Sequence, residues 1–123
     1  SVSATSTLFT NAGGHPPPRG CGVFAASLDH YARPEPSGGL QEGVHPFAPL
    51  CARRFGLKDR GLIREGMAAD IVVFDPETIA DRSTFADGKA LAVGVEHVAV
   101  NGELVLHNGG RTRALPGRGL KRK

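Results

Sequence analysis

The dipeptide Asn101-Gly102 constrains this chain more than any other feature. It lies between two β-type runs, Val95–Val100 and Glu103–His107. Asn-Gly tolerates φ > 0 at both central positions of a type I′ turn, so the pair predicts a two-residue β-hairpin. Such a turn sets the register. Val100 faces Glu103, Ala99 faces Leu104, Val98 faces Val105 and His97 faces Leu106. Neighbours along a strand point to opposite faces, so His97 and His107 are expected on opposite sides of the hairpin, unable to close on one ion. Asn108-Gly109-Gly110 ends the second strand. Upstream, Ile71-Val72-Val73-Phe74 is framed by Asp70 and Asp75-Pro76. An apolar run without alternation predicts a strand buried on both faces. Gly61-Leu62-Ile63-x-x-Gly66 predicts another short strand, and 79–85 a loop or helical turn.

The first fifty residues are different in kind. They hold 7 of the 17 Gly and 7 of the 9 Pro. Pro16, Pro17 and Pro18 favour polyproline II and forbid helix, while Pro34, Pro36 and Ser37-Gly38-Gly39 break the next stretch. Phe24, Leu28 and Tyr31 keep helical spacing, which predicts about two turns of helix, marginal without packing. Over 40–55, Pro46 and Pro49 leave a helical piece at 50–55, stopped by Gly56.

A length of 123 residues suits one domain, or a small domain with an arm. It excludes a complete (β/α)₈ barrel, which takes about 250 residues. No apolar run approaches the length of about 18 residues that spans a bilayer. The start shows no basic segment followed by an apolar stretch, so no secretory signal is expected. Two cysteines, Cys21 and Cys51, lie 30 apart without a Cys-x-x-Cys. Free thiols in a cytoplasmic protein are the expected reading. The net charge of +3 is uneven. Residues 111–123 carry six basic residues and no acid, whereas 1–110 carry nine basic and all twelve acidic residues. No aromatic residue interleaves the tail charges, so a solvated terminus is expected rather than a nucleic-acid contact.

Residue chemistry alone builds no active site. His15, His30, His45, His97 and His107 form no His-x-His or His-x-x-x-His pair, and read as ordinary histidines. Gly20-Cys21-Gly22 follows three prolines rather than a strand, so it is not a dinucleotide loop. Asp70 and Asp75 differ by an odd number and point to opposite faces of one strand. Capping and turn roles suit them better than acid/base work.

Two quoted segments nevertheless carry a resemblance. Gly61-x-x-x-x-Gly66-Met67-Ala68-Ala69-Asp70-Ile71-Val72-Val73-Phe74-Asp75 resembles the late segment of amidohydrolase-superfamily enzymes, where the chain returns from the barrel to a small β-sandwich. Val95-x-x-Val98-x-Val100-Asn101-Gly102-x-x-Val105 resembles that sandwich's final hairpin. Ala52-Arg53-Arg54-Phe55-Gly56-Leu57-Lys58-Asp59-Arg60-Gly61, the segment 75–85 and Leu115-Pro116-Gly117-Arg118 narrow it. They are similar to the C-terminus of the N-acyl-D-amino-acid deacylase (D-aminoacylase) family. The match covers about 52–123 closely and 15–51 more loosely, through Pro18-Arg19-Gly20-x-Gly22-x-Phe24, Leu28, Tyr31, Leu40-x-Glu42 and Val44.

The resemblance implies an α+β, mainly β fragment: a remnant of the last barrel helices plus a small β-sandwich segment with an Asn-Gly hairpin. Residues 1–49 are expected to be a largely irregular Pro/Gly-rich remnant of the last barrel loop and helices, 50–110 a helix plus sandwich segment, and 111–123 a basic tail. It further implies zinc-dependent hydrolysis of the amide bond in N-acyl-D-amino acids. The family's metal ligands come from earlier barrel strands and its proton-shuttling Asp from the last one. No catalytic residue, no metal ligand and no bound zinc is therefore expected in this chain. The surviving binding element is the loop of His15 and Arg19, whose cation would grip the substrate carboxylate. Two extra prolines in that loop, Cys21 in place of a usual Tyr, and 88–93 in place of an aromatic-containing loop depart from the family pattern. This suits a truncated or decaying gene, or an incomplete gene model. Expected partners are the small-molecule substrate, and a separate barrel chain or a second copy. No membrane is expected. The alternative is a non-catalytic β module that binds a protein partner.

Overall fold

A computed structural model describes residues 22–32, 39–88 and 90–120. The chain forms two compact units: Ser1–Gly43 with Pro76–Gly94, and Val44–Asp75 with Val95–Lys123.

In the first unit, α1 spans Val23–Ala32. About two turns of helix are expected here, and ten residues are helical. The Ala26 N–H donates to Gly22 O at 2.9 Å, and the Ser27 hydroxyl to Val23 O at 2.9 Å. Gly22 is buried, and a Cβ there would land on the Asp81 carboxylate. That carboxylate lies beside the first turn of α1, where the helix dipole favours negative charge. Its Oδ1 also accepts from the Ser83 N–H and hydroxyl, both at 2.7 Å. The 79–85 stretch is loop, as expected, apart from a bridge between Ala80 and Val93. Ile79, only 2% exposed, anchors this unit. The short helix α2 (Leu40–Val44) follows in sequence.

The second unit opens with α3 (Pro49–Phe55). Pro49 sits in its first turn, where a missing N–H does no harm, and Gly56 at φ 69° ends it. Four strands follow: β1 (Ile71–Phe74), β2 (Val95–Val100), β3 (Glu103–His107) and β4 (Gly110–Arg111). They form one antiparallel sheet in the order β1-β2-β3-β4. The architecture is thus the expected mainly β fragment carrying an Asn-Gly hairpin. The turn has Asn101 at φ 50° and Gly102 at φ 86°, the sign a type I′ turn requires.

Three expectations need correction. Residues 61–66 form turns, not a strand. Gly61 and Gly66, at φ 90° and 79°, fold this stretch back on itself. The β1 strand is not buried on both faces: Val72 is 53% and Val73 45% exposed. Among the described elements, the strands of this sheet pack chiefly against one another. The hairpin register also slips. Val100 faces Glu103 and Ala99 faces Leu104 as expected, but Val98 faces Leu106, because Val105 is a β-bulge. One extra residue shifts everything beyond it by one position.

The tail is not simply solvated over its described part. Thr112 donates its N–H to Val105 O at 3.0 Å and its hydroxyl to Leu104 O at 2.7 Å. Pro116 O accepts from the Asn101 side chain at 2.8 Å. The chain is thereby strapped back toward the sheet, over a groove lined by Val98, Val100, Val105, Ala114, Leu115 and Pro116. Among the described residues, no helix is long and apolar enough to cross a membrane.

Candidate functional site

The substrate-binding pair expected from the family resemblance, His15 and Arg19, lies outside the described residues. What the described part offers is a scaffold centred on one carboxylate. Asp70 stands immediately before β1. Its Oδ1 accepts from the Asn101 backbone N–H at 2.8 Å, and its Oδ2 from the Arg60 guanidinium at 2.5 Å. Arg60 also reaches Asp59 Oδ1 at 3.3 Å. Its side chain is only 10% exposed while that of Asp70 is 33% exposed, so this ion pair is partly shielded from solvent screening. The Gly102 N–H donates to Ala69 O at 3.0 Å and the Ala68 N–H to Asp59 O at 2.8 Å. Arg118 reaches Asn101 Oδ1 at 3.4 Å. The 59–70 loop, the hairpin turn and the tail are therefore joined at Asn101. The bonds of the Asp70 carboxylate reach Arg60 and the distant Asn101 turn rather than a turn of its own.

The bulge at Val105 changes the histidine geometry. His97 and His107 share one side, with ring centroids 5.0 Å apart and planes tilted by 32°. The expectation of opposite faces assumed an unbroken register and fails for that reason. The Asn108 N–H donates to His97 Nδ1 at 3.3 Å, and Asn108 Nδ2 lies 3.4 Å from His107 Nε2. No residue pattern in the hairpin marks Val105 as the bulged position. Cys51 is a free, exposed thiol that donates to Pro46 O at 2.9 Å.

Among the described residues, no group of three or more His, Cys, Asp or Glu is placed to hold a metal ion. These residues do not fit the zinc centre that the resemblance implies, and they contribute no step through zinc. What they define is a sheet-and-helix segment with exposed apolar side chains.

Comparison with known proteins gives this segment its class. Residues 1–106 match the family model described as amidohydrolase family, and the chain belongs to that family. It is 42% identical over 107 residues to the D-aminoacylase of Alcaligenes xylosoxydans xylosoxydans, covering 87% of this chain and 22% of that protein. A solved D-aminoacylase mutant in complex with copper chloride superposes with a TM-score of 0.82 at 40% identity, over 88% of this chain and 23% of that one. The N-acyl-D-glutamate deacylase of Bordetella bronchiseptica, complexed with zinc and a phosphonate inhibitor, gives 0.70 at 41% identity, over 74% and 19%. The chain thus spans about a fifth of the length of the relatives it matches.

Proposed function

We propose that this chain is the C-terminal part of a zinc-dependent deacylase of N-acyl-D-amino acids, and that it is inactive as an isolated chain. The observation that carries the reading is the 40% identity and 0.82 TM-score to a D-aminoacylase over nearly all of this chain but less than a quarter of that one. In this reading His15 and Arg19 face the substrate carboxylate. Metal ligands and the proton-shuttling carboxylate come from barrel strands that correspond to no residue described here. A barrel chain, or a second copy, is the partner that completes the site. In this reading the protein is cytoplasmic.

The test is a chimera. The segment of the Alcaligenes D-aminoacylase that aligns with this chain is replaced by it, and zinc-dependent release of D-methionine from N-acyl-D-methionine is measured. The expected result is turnover by the chimera and none by the isolated chain. Chelator-sensitive turnover by the isolated chain overturns its inactivity. A folded chimera without turnover overturns the deacylase reading.

A second reading is favoured by one observation, the exposure of Val72, Val73 and Leu104 on the sheet. Exposed apolar side chains on a sheet suit a β module that binds a protein partner. Size-exclusion chromatography with an added barrel fragment tests it. No shift at micromolar concentration counts against it.

A further inference from the structure

We propose that Asn108 is a site of spontaneous deamidation in the folded chain, whereas Asn101, in the same Asn-Gly dipeptide, is locked against it. The inference is independent of the deacylase reading. The reaction needs no co-reactant but water. The Gly109 backbone nitrogen bonds to the Asn108 side-chain carbonyl carbon, the bond from that carbon to Nδ2 breaks, and ammonia leaves with the Gly109 amide proton. Water then opens the five-membered succinimide at either carbonyl, leaving aspartate or its β-linked isomer. Glycine favours the first step because it has no Cβ to hinder the attacking nitrogen. Asn101-Gly102 and Asn108-Gly109 both meet that requirement. The two asparagines have nearly the same φ, 50° and 49°, so what separates them is how each is held.

For the ring to close, the asparagine side chain must rotate and the glycine N–H must leave its partner. At Asn101 both are resisted. Its N–H donates to Asp70 Oδ1 and its Nδ2 to Pro116 O, each at 2.8 Å. Its Oδ1 accepts from Arg118 at 3.4 Å. The Gly102 N–H donates to Ala69 O at 3.0 Å. These partners belong to two other segments, the 59–70 loop and the tail. At Asn108 the hold is weaker. Its N–H meets His97 Nδ1 at 3.3 Å, and its Nδ2 lies 3.4 Å from Nε2 of the adjacent His107. Both exceed ordinary N–H hydrogen-bond lengths. The Gly109 N–H donates to Glu96 O at 2.9 Å. This turn leads into the two-residue β4, which pairs with β3 at Leu106↔Arg111 and His107↔Gly110. So short an edge pairing opens locally at small cost. Asn108 and Gly109 are exposed, so water reaches the succinimide, whereas Asn101 is half-buried.

The test incubates the full chain, folded and in guanidinium chloride, at neutral pH and physiological temperature for several days. Peptide mapping by mass spectrometry locates the mass gained when an amide becomes a carboxylate. Labelling by an isoaspartyl methyltransferase counts the β-linked product. In denaturant the two sites are expected to convert at similar rates, because the dipeptide is the same. In the folded chain Asn108 is expected to convert at least about fivefold faster than Asn101, whose charge-assisted and tertiary hydrogen bonds must first break. No conversion at Asn108, or a folded-state preference for it below about fivefold, overturns the proposal. A preference of the same size in denaturant also overturns it, since the fold then selects nothing.

Discussion

Replacing Asp70 by alanine is expected to open the hairpin turn without removing any apolar contact. The carboxylate accepts the Asn101 N–H at 2.8 Å and binds Arg60 at 2.5 Å. A hydrogen bond to a charged group contributes about 1.5–3 kcal/mol. An ion pair at one-third exposure adds under about 1 kcal/mol. Removing both, and leaving the largely buried Arg60 with Asp59 alone, is expected to cost the turn about 2–3 kcal/mol. Asp70→Asn keeps an oxygen for the Asn101 N–H and loses only the charge, so about 1 kcal/mol is expected. Native-state hydrogen exchange reads this directly at the Asn101 amide, since local opening governs its protection. Protection is expected to fall about 30- to 150-fold in D70A and about fivefold in D70N, at about 1.4 kcal/mol per tenfold. Protection of the Asn101 amide in D70A within threefold of the unsubstituted chain would refute the reasoning. Equal loss in D70A and D70N would refute its division between hydrogen bond and charge.

Further outcomes are expected from other residues. Ile79→Ala removes the one large side chain that is fully buried among the described residues. About 2–4 kcal/mol of destabilisation is expected, read as a lower urea midpoint for the helical signal. Gly22→Ala places a methyl group on the Asp81 carboxylate. Loss of α1 helicity by circular dichroism is expected, with the β2–β3 amide signals unchanged. The isolated chain should bind a hydrophobic dye in its native state through the exposed Val72, Val73, Leu104 and Phe55. No dye fluorescence above that of a compact control protein would show that these surfaces are covered.

The histidine pair and the Asp70 junction show where a sequence reading stops. The Asn-Gly turn, the 50–55 helix ended by Gly56 and the Ile71-Val72-Val73-Phe74 strand are local, and each is legible because one or two residues restrict the backbone there. The bulge is not local. Val105 is not a glycine or any other residue that marks a bulge, and which residue is extruded depends on how two strands settle together. An unbroken register therefore puts His97 and His107 on separate faces, and the register is unbroken only as far as Ala99 and Leu104. The tail misled for a similar reason. Its basic residues suggest solvent, but Thr112 and Pro116 find hydrogen-bond partners near the hairpin, and such partners are brought close only by folding.

The sequence by itself determined the family, the hairpin and the shortage of chain for a barrel, because motifs, turn chemistry and length are written in residue identity. Tertiary structure alone decided which residues meet across long separations. The carboxylate of Asp70 reaches a turn 31 residues away, and two histidines ten residues apart in the chain come within 5.0 Å. It also decided how much of the apolar sequence is covered. A β run as apolar as Ile71–Phe74 calls for a layer on each face, and burial is a property of what packs against a strand, not of the strand.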